Sequence, residues 1–413
     1  MTRAAEAGLP EWIRRRRLGK TSDVDVLVNG DRVPIEQSVF VELLENSIVN
    51  SRAPYRHALE TSEIHYSELV KLARTAEVPH PLFFAPAAIA QAQVKSKSEK
   101  LLQGVVPETF TVNTRTTVQL HDVELIIKDL LRKQTLAKKH DPTLAKNRIV
   151  GLLRRSGNTV HEDADALVAA LGLERSAIRN ARTKEIALEL IIDRLEANQV
   201  LVSRSVRGFM PQILDGVRFS GMTVRDSKVP YIFLAGGDHR DFEEPAGRQI
   251  FTLVLMSVLV ARGIFAPVSY DANSTAPDAG REYDIVGEIL MPASELLETA
   301  LDDLDTVKAA ADVFRVTPSA MTVRAMRLGI LPFETALAYL GELETEFRAR
   351  PKPGPRNQPK PVNAIRKYSG RALTTRMLRA VEERRLSERE FCRVVCLNRI
   401  DPANLGELKA ALR

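Results

Sequence analysis

Apolar residues recur at intervals of three and four along most of the chain, and this spacing predicts a predominantly helical protein. In the second half of the chain, helices are predicted over 248–264, 280–291, 302–314, 317–328 and 333–349. Thr183 precedes another helical segment and is placed as its N-cap. Two more amphipathic helices are predicted between Ala364 and Arg413, with Ser387 as the N-cap of the second.

Strand-like segments occur in two places. Near the N-terminus, the alternating stretch VDVLVNGDRVPI contains Asn29-Gly30, a dipeptide typical of two-residue hairpin turns. The segments VLVSRSV, VRFSGMTV and VPYIFLAGG follow one another after residue 199 and are rich in β-branched and aromatic residues. The predicted fold class is therefore α+β and predominantly helical, with a small central sheet of three to four strands.

Changes in composition divide the chain into five predicted regions. The clearest boundary is a segment with five prolines between residues 351 and 361, which has no apolar periodicity and is typical of a linker. The regions are a basic arm, hairpin and helical module over 1–86, a helical connecting region over 87–182, a central domain over 183–350, the linker over 351–363, and a C-terminal helical region over 364–413.

The overall composition is that of a folded globular protein. Of 413 residues, 44% are hydrophobic and 27% are charged, which argues against a disordered or fibrous chain. The most apolar run has twelve uncharged residues from Ile250 to Ala261, too few to span a membrane, so we predict a buried helix and no membrane partner. No apolar signal sequence follows the charged N-terminus, and with only two cysteines the expected location is the reducing cytoplasm.

Basic residues are concentrated in three segments. The net charge is +4 over residues 1–20, +7 over 128–155 and +10 over 345–413, whereas the whole chain carries only +6. The remainder is therefore acidic, at −15. An acidic body with basic flanks is compatible with nucleic-acid binding, although basic residues on solvated helices give the same pattern.

The order of several phrases resembles the ImmA/IrrE family of metallopeptidase-like regulators. These phrases are RQIFTL at the start of a helix, then EILMP, then AADVFRVTPSAMTVRAMRLGIL, and the likeness extends through 183–331. YSELVKLARTAEVPHPLFF is similar to the end of the XRE-type helix-turn-helix module often fused before such domains. YSGRALTTRMLRAVEERRLSEREFCRVVCL is similar to the C-terminal helical region of the family. The resemblance implies a zincin-like central domain.

In that family, a H-E-x-x-H motif follows the FTL phrase by one residue. Its two histidines share one helical face and bind Zn²⁺, while the glutamate acts as a base on the metal-bound water. In this chain, alignment on FTL places Leu255, Met256 and Leu259 at these three positions. The resemblance therefore implies a peptidase scaffold without catalytic residues, metal ligands or cofactor.

The remaining metal-ligating residue types offer no clear replacement. The slot of the third zinc ligand falls near Ala279 or Arg281, and a small shift of the alignment would place Glu282 or Asp284 there. A single carboxylate does not hold Zn²⁺ without nitrogen or sulfur partners. The chain has seven histidines, none spaced i, i+4 from another: His57, His65, His80, His121, His140, His161 and His239.

Three smaller features have ordinary structural interpretations. His239, among the acids Asp238, Asp241, Glu243 and Glu244, is either a cation ligand or part of an acidic loop before a helix, and we favour the loop. Cys392 and Cys396 lack a second pair of thiols and are expected to be buried and reduced. His161, Glu162 and Asp163 are expected to form a solvated helix start.

A DNA-binding interpretation depends on both ends of the N-terminal module. The first half of the XRE-like pattern is missing, because NSRAPYRHALETSEI occupies the place of the recognition helix and Pro54 is expected to break a helix there. The candidate nucleic-acid contacts are Arg14, Arg15, Arg16, Arg17 and Lys20, which equally fit a solubilising arm.

The resulting prediction is a catalytically inactive ImmA/IrrE-like regulatory or interaction protein that binds a protein partner or DNA. The resemblance associates such proteins with phages, mobile elements, toxin–antitoxin pairs and phage defence. One alternative is an active metallopeptidase that cleaves a transcriptional repressor through unassigned ligands. Another is the toxin component of a toxin–antitoxin pair.

Overall fold

The computed structural model describes most of the chain. The described residues are 23–45, 47–101, 120–154, 157–214, 217, 219–236, 244–269, 280–349 and 359–412. They form two compact units, the first from the described residues up to Leu101 together with 120–124, and the second from Leu125 onward. Both units combine helices with a small sheet, as the predicted α+β class requires.

Over its described residues, the first unit contains three strands and four α-helices. Its elements are β1 (Val24–Val28), β2 (Asp31–Ile35), α1 (Gln37–Leu44), α2 (Ala53–Thr61), β3 (Glu63–His65), α3 (Tyr66–Ala76) and α4 (Ala87–Leu101), with 3-10 helices at Ile48–Ser51 and His80–Phe84. The predicted hairpin is present: β1 pairs antiparallel with β2, and Asn29 takes the left-handed conformation in the turn. A strand that was not predicted, β3, pairs parallel with β1 on the other side.

Aromatic packing holds the helices of the first unit together. The rings of Phe40 and Tyr55 stack with their centroids 5.5 Å apart, and Phe83 packs on Phe40 at 6.1 Å. No helix runs through Pro54, as expected: the preceding 3-10 helix ends at Ser51 and α2 begins at Ala53. Pro54 lies in the first turn of α2, where its missing N–H removes no helical hydrogen bond, so it starts the helix.

The second unit contains a four-stranded sheet and fourteen α-helices among the described residues. The strands are β4 (Leu201–Arg204), β5 (Phe219–Val224), β6 (Tyr231–Leu234) and β7 (Pro267–Ser269). The helices are α5 (Leu120–His140, from Leu125 on), α6 (Val160–Leu171), α7 (Arg175–Asn180), α8 (Lys184–Ala197), α9 (Ala246–Arg262), α10 (Arg281–Leu290), α11 (Ala293–Leu296), α12 (Leu304–Val313), α13 (Pro318–Arg327), α14 (Phe333–Ala349), α15 (Pro361–Tyr368), α16 (Arg371–Glu382), α17 (Glu388–Val394) and α18 (Leu405–Leu412). A 3-10 helix spans Pro402–Asn404.

The sheet of the second unit has the strand order β4-β6-β5-β7. β4 and β6 run parallel, whereas β5 is antiparallel to both β6 and β7. Helix α9 packs against β5 and β6 and contacts α8 and α10. The core of this unit is therefore built around α9.

Two predicted helix starts are confirmed. The hydroxyl of Thr183 accepts a hydrogen bond from the backbone N–H of Ile186 at the start of α8, and Ser387 caps α17 through the N–H of Glu390. At the predicted linker, residues 351–358 lie outside the described residues, and α15 already begins at Pro361. Of the helices described here, none combines the length and apolar character needed to cross a bilayer.

Candidate functional site

Helix α9 is the element on which the resemblance places the zinc motif. It begins after Pro245 and ends at Gly263, whose φ of +73° is the left-handed conformation that closes a helix. Leu255, Met256 and Leu259 are exposed by only 3%, 0% and 1%. The structure therefore places all three residues in the core, where they line no open cleft.

Met256 fills a space that the sheet leaves open. Gly221 of β5 lies beneath it, and a Cβ added at position 221 would come within 2.8 Å of the Sδ atom of Met256. A side chain on β5 at this position would therefore collide with α9. Because Met is unbranched and its thioether is polarizable, it adapts to such an irregular gap.

The last turn of α9 is closed by a neighbouring loop rather than by solvent. The N–H groups of Gly151 and Leu153 donate hydrogen bonds to the carbonyls of Val260 and Ala261, at 3.3 and 2.8 Å. The carbonyl groups of a last helical turn have no partner within the helix, so these contacts satisfy two of them. Both the side chains and the C-terminal end of α9 are thus enclosed by protein.

The residues near the third-ligand slot are held in ion pairs with other helices. Arg281 donates to the carboxylate of Asp163 on α6 at 2.8 Å and also to the carbonyl of Asn158. Glu282 pairs with Arg262 at 3.3 Å, and Asp284 pairs with Arg327 at 2.7 Å. The guanidinium of Arg281 and two carboxylates already paired with arginines do not form a zinc site.

The prediction of a solvated helix start at 161–163 was partly wrong. Thr159 and Glu162 form a capping box at the surface, and the side chain of His161 is 64% exposed. Asp163 is instead fully buried, and it accepts hydrogen bonds from Arg281 and from Asn158. The reason is helix packing: α6 lies against α10, and Asp163 is on the contact side.

A second ion pair between helices lies beside this one. The buried carboxylate of Glu288 on α10 pairs with Arg324 on α13 and accepts from Nδ1 of His161 at 2.9 Å when that nitrogen carries a proton. The hydrogen bond that His161 donates to Glu288 raises the pKa of His161, and the charge of Asp165 raises it further. Burial lowers the pKa of Arg324 despite its acidic partner. These contacts tie three helices together.

A separate polar cluster is buried between α5, the sheet and the C-terminal helices. The ammonium of Lys133 lies 2.7 Å from the carboxylate of Asp129 and 4.0 Å from the ring centroid of Tyr368. Lys133 and Tyr368 are 0% exposed, as is Tyr231. Burial lowers the pKa of Lys133, and burial with the nearby charge of Asp129 raises the pKa of Tyr231 and Tyr368.

The two cysteines are buried and unpaired, as predicted. Burial raises the pKa of Cys396 to about 12 and also raises that of Cys392. Because the thiolate is the reactive form, both groups are poor nucleophiles and poor metal ligands. They contribute to packing around α17 rather than to chemistry.

Glu196 connects the end of α8 to the start of α16. One carboxyl oxygen accepts a hydrogen bond from the backbone N–H of Ala372 at 2.9 Å, while the other, Oε1, is buried without a hydrogen-bond partner among the described residues. Burial raises the pKa of Glu196 to about 7. Gly370 is required here, because its φ is +80° and a Cβ would lie 2.8 Å from Oε1.

Several predicted residues lie outside the described part of the chain. These are Arg14, Arg15, Arg16, Arg17, Lys20, Asp238, His239, Asp241, Glu243 and Ala279. Glu244, at the edge of that acidic loop, is buried and accepts a hydrogen bond from the hydroxyl of Ser220 at 3.1 Å. Over the described ranges, no three His, Cys, Asp or Glu side chains are grouped in a way that could hold a metal ion.

Comparison of the chain with protein-family models, with curated proteins and with solved structures found no match.

The buried polar residues were missed by the sequence analysis. Lys133 had a usable signal, because it stands in helical register with the buried residues Ile126, Leu130 and Ala137, where an apolar residue is expected. Tyr231, Tyr368 and Glu196 come from distant segments and had no comparable signal. The pairing of Asp163 with Arg281 likewise joins residues 118 positions apart.

Proposed function

We propose that the protein is a non-catalytic regulatory or interaction protein built on an ImmA/IrrE-type, zincin-like scaffold. The observation that carries the proposal is the burial of Leu255, Met256 and Leu259 in the core helix α9. Zinc enzymes need nitrogen, oxygen or sulfur ligands and an open coordination position that water can occupy. Three buried aliphatic or thioether side chains supply neither.

The surroundings of α9 support the same proposal. Arg281, near the third-ligand slot, brings a positive charge that would repel Zn²⁺, and it is already paired with Asp163. The succession α8, β4, β5, β6, α9, β7, α10 within one compact unit is compatible with the scaffold that the resemblance implies. On this proposal, ion pairs and packing contacts hold α9, α10 and α6 together in place of a bound metal.

A protein of this kind acts by recognition, so its partner is a protein or a nucleic acid. The setting implied by the resemblance is a phage, mobile-element, toxin–antitoxin or phage-defence locus. Toxicity on expression that a neighbouring gene product relieves would identify the protein as the toxin of such a pair.

Zinc content is the deciding experiment. The full chain, purified without chelator in zinc-supplemented medium, is expected to contain well below one zinc per chain by plasma mass spectrometry, and a chelator should leave its melting temperature unchanged. About one zinc per chain, lost together with proteolytic activity on chelation, would establish the metallopeptidase alternative instead.

A further inference from the structure

Exposed basic residues gather where the C-terminal end of α5 meets two loops. We define the basic surface as Lys138, Lys139, Lys146, Arg148, Arg225 and Lys228, all of which are exposed. The first two residues are in the last turn of α5, the next two are in the loop that follows it, and the last two flank the turn between β5 and β6. Positions 138 and 228 are 90 residues apart, so only the fold assembles this group.

Hydrogen bonds hold the contributing segments against one another. The N–H of Asn147 donates to the carbonyl of Ser227 at 2.8 Å, and the Asn147 amide donates to the carbonyl of Asn198 at 2.9 Å. The side chain of Gln199 donates to the carbonyls of Ala145 and Lys228, both at 3.0 Å. The loop after α5, the end of α8 and the β5–β6 turn are therefore in direct contact.

The β5–β6 turn is itself fixed in position. The carboxylate of Asp226 accepts from the backbone N–H groups of Lys228 and Val229, at 2.8 and 3.0 Å, and pairs with Lys138 from α5. The side chain of Gln134, also on α5, donates to the carbonyl of Val229 at 3.0 Å. The surface is thus built on rigid elements rather than on a flexible arm.

Most of the positive charge on this surface is not neutralised by the protein. Within the described ranges, Lys139, Lys146, Arg225 and Lys228 have no acidic side chain in ion-pair contact. Arg148 donates from Nε to the neutral side-chain oxygen of Asn198 at 3.1 Å, so this partner brings no negative charge. The segments 138–149 and 225–228 contain two carboxylates, Asp226 and Asp141, and Asp226 is already paired with Lys138.

Asp141, in the loop after α5, does not reduce the positive charge of the basic surface. Asp141 is buried and pairs at 2.7 Å with Arg376 of α16, so these two charges cancel. The excess positive charge is therefore available to an anion in solution.

The chemistry of the surface indicates which anion it fits. Residues 138–149 and 225–228 contain no Phe, Tyr or Trp, so unpaired bases have no stacking platform there. The same segments expose no large apolar side chain, because Leu144 and Ile149 are buried, so they lack the residues that insert into a lipid interface. Spaced cations without aromatic or apolar companions are suited to the phosphates of a duplex.

We propose that the basic surface binds the phosphate backbone of double-stranded nucleic acid without reading its base sequence. The proposal rests on the interaction function proposed above and names the class of partner. This proposal does not involve the arginines at positions 14–17, because the basic surface consists of groups that the fold of the second unit brings together.

The test measures binding of the full chain to a fluorescein-labelled 30-base-pair duplex of arbitrary sequence by fluorescence anisotropy between 50 and 300 mM NaCl. Wild-type affinity is expected to fall steeply with salt, since each phosphate contact contributes about −0.9 to the slope of log affinity against log salt. The variant K139A/K146A/R225A/K228A should bind roughly 10- to 100-fold more weakly at 50 mM NaCl and should have a slope smaller by about 3 to 4.

The matched control is R182A/K360A/R366A/R389A, which removes four exposed positive charges of the second unit that are not part of the basic surface. It should bind within about twofold of the wild type, because the loss of net charge is identical and the basic surface is intact. Circular dichroism is used to check that both variants fold. DNA and RNA duplexes are compared in parallel, and binding to either through the four residues supports the proposal.

Four outcomes would overturn the proposal: no duplex binding by the wild type at 50 mM NaCl, unchanged binding by the first variant, an equal loss in both variants, or a loss seen only when Arg14–Arg17 and Lys20 are replaced. Binding through the four residues to phosphatidylserine vesicles but not to a duplex would also overturn it, in favour of a membrane surface. If the protein holds no zinc and does not bind duplexes, only this inference is contradicted. If the protein is a peptidase that a chelator inactivates, the proposed function is contradicted whether or not the protein binds duplexes.

Discussion

The second unit contains two buried helices with opposite ways of filling the interior. Helix α9 buries two runs of apolar side chains, Leu253–Met256 and Val258–Ala261, separated only by Ser257. Helix α5 buries the charged pair Asp129 and Lys133 together with Gln134. Helix α9 stabilises the fold by removing apolar surface from water. Helix α5 stabilises it only if each buried polar group has its partner in place.

This difference separates a helix that packs through apolar side chains from a cluster that depends on polar partners. The apolar side chains around α9 depend less on particular partners, because volume-conserving apolar substitutions usually cost less than about 1.5 kcal/mol. The α5 cluster depends on particular pairs, since an unpaired charge in the interior is costly. The cluster is also the place where α15 joins the sheet, through Lys133 over Tyr368 and the hydrogen bond from the Ser203 hydroxyl to the Tyr368 carbonyl. We therefore expect the polar cluster to determine where the C-terminal helices dock.

The largest expected effect comes from breaking the buried pair. Lys133→Met leaves Asp129 buried without its cation and is expected to lower the free energy of unfolding by about 4 kcal/mol. The measurement is urea unfolding followed by circular dichroism at pH 7. The variant D129N/K133M removes both charges and should be clearly less destabilised than the single variant, because no ion is left unpaired.

If the single and double variants lose the same stability, the α5 cluster behaves like an ordinary packed core. The comparison with α9 then loses its basis.

A somewhat smaller effect is expected from α9. Leu259→Ala removes a side chain that is 1% exposed and should lower the free energy of unfolding by about 3.5 kcal/mol, the middle of the range for buried leucines. The control is Leu297→Ala, since Leu297 is 68% exposed and its loss should cost less than about 0.5 kcal/mol. Adding zinc should rescue neither variant. A zinc-dependent recovery of Leu259→Ala would mean that α9 borders a metal site after all.

The contrast between the two helices also explains what could be predicted from the sequence. The apolar run of α9 and the caps at Thr183 and Ser387 are local signals, and each matches the structure. The four-stranded sheet was within the predicted range, but the short strand β7 carries too few residues to give a pattern. Local periodicity is therefore enough to predict which apolar residues are buried.

Buried polar residues follow a different rule. Asp163 looked like part of a solvated helix start, because its own neighbours His161 and Glu162 are at the surface. Its burial depends on Arg281, which arrives from a distant helix. A carboxylate with a partner can be buried and one without a partner is not, so its environment cannot be predicted until the tertiary pairing is known. The same reason hid Lys133 and Glu196.

The smallest effect, and the one that tests the docking of the C-terminal helices most directly, is a dependence on pH. Burial raises the pKa of Glu196 from 4.5 to about 7, so the folded protein holds this proton in a range where the unfolded chain has released it. The stabilisation is therefore complete below pH 4.5 and is lost as the pH rises to about 7, with a total change on the order of 3 kcal/mol.

Glu196→Gln keeps an oxygen for the N–H of Ala372 and cannot ionise, so its stability should match that of the wild type near pH 4.5 and exceed it at pH 8. The difference between the two proteins isolates Glu196 from His161, whose raised pKa gives a slope of the same sign in both. Parallel curves for the two proteins across this range would show that Glu196 carries no buried proton, and that the link between α8 and α16 is an ordinary surface contact.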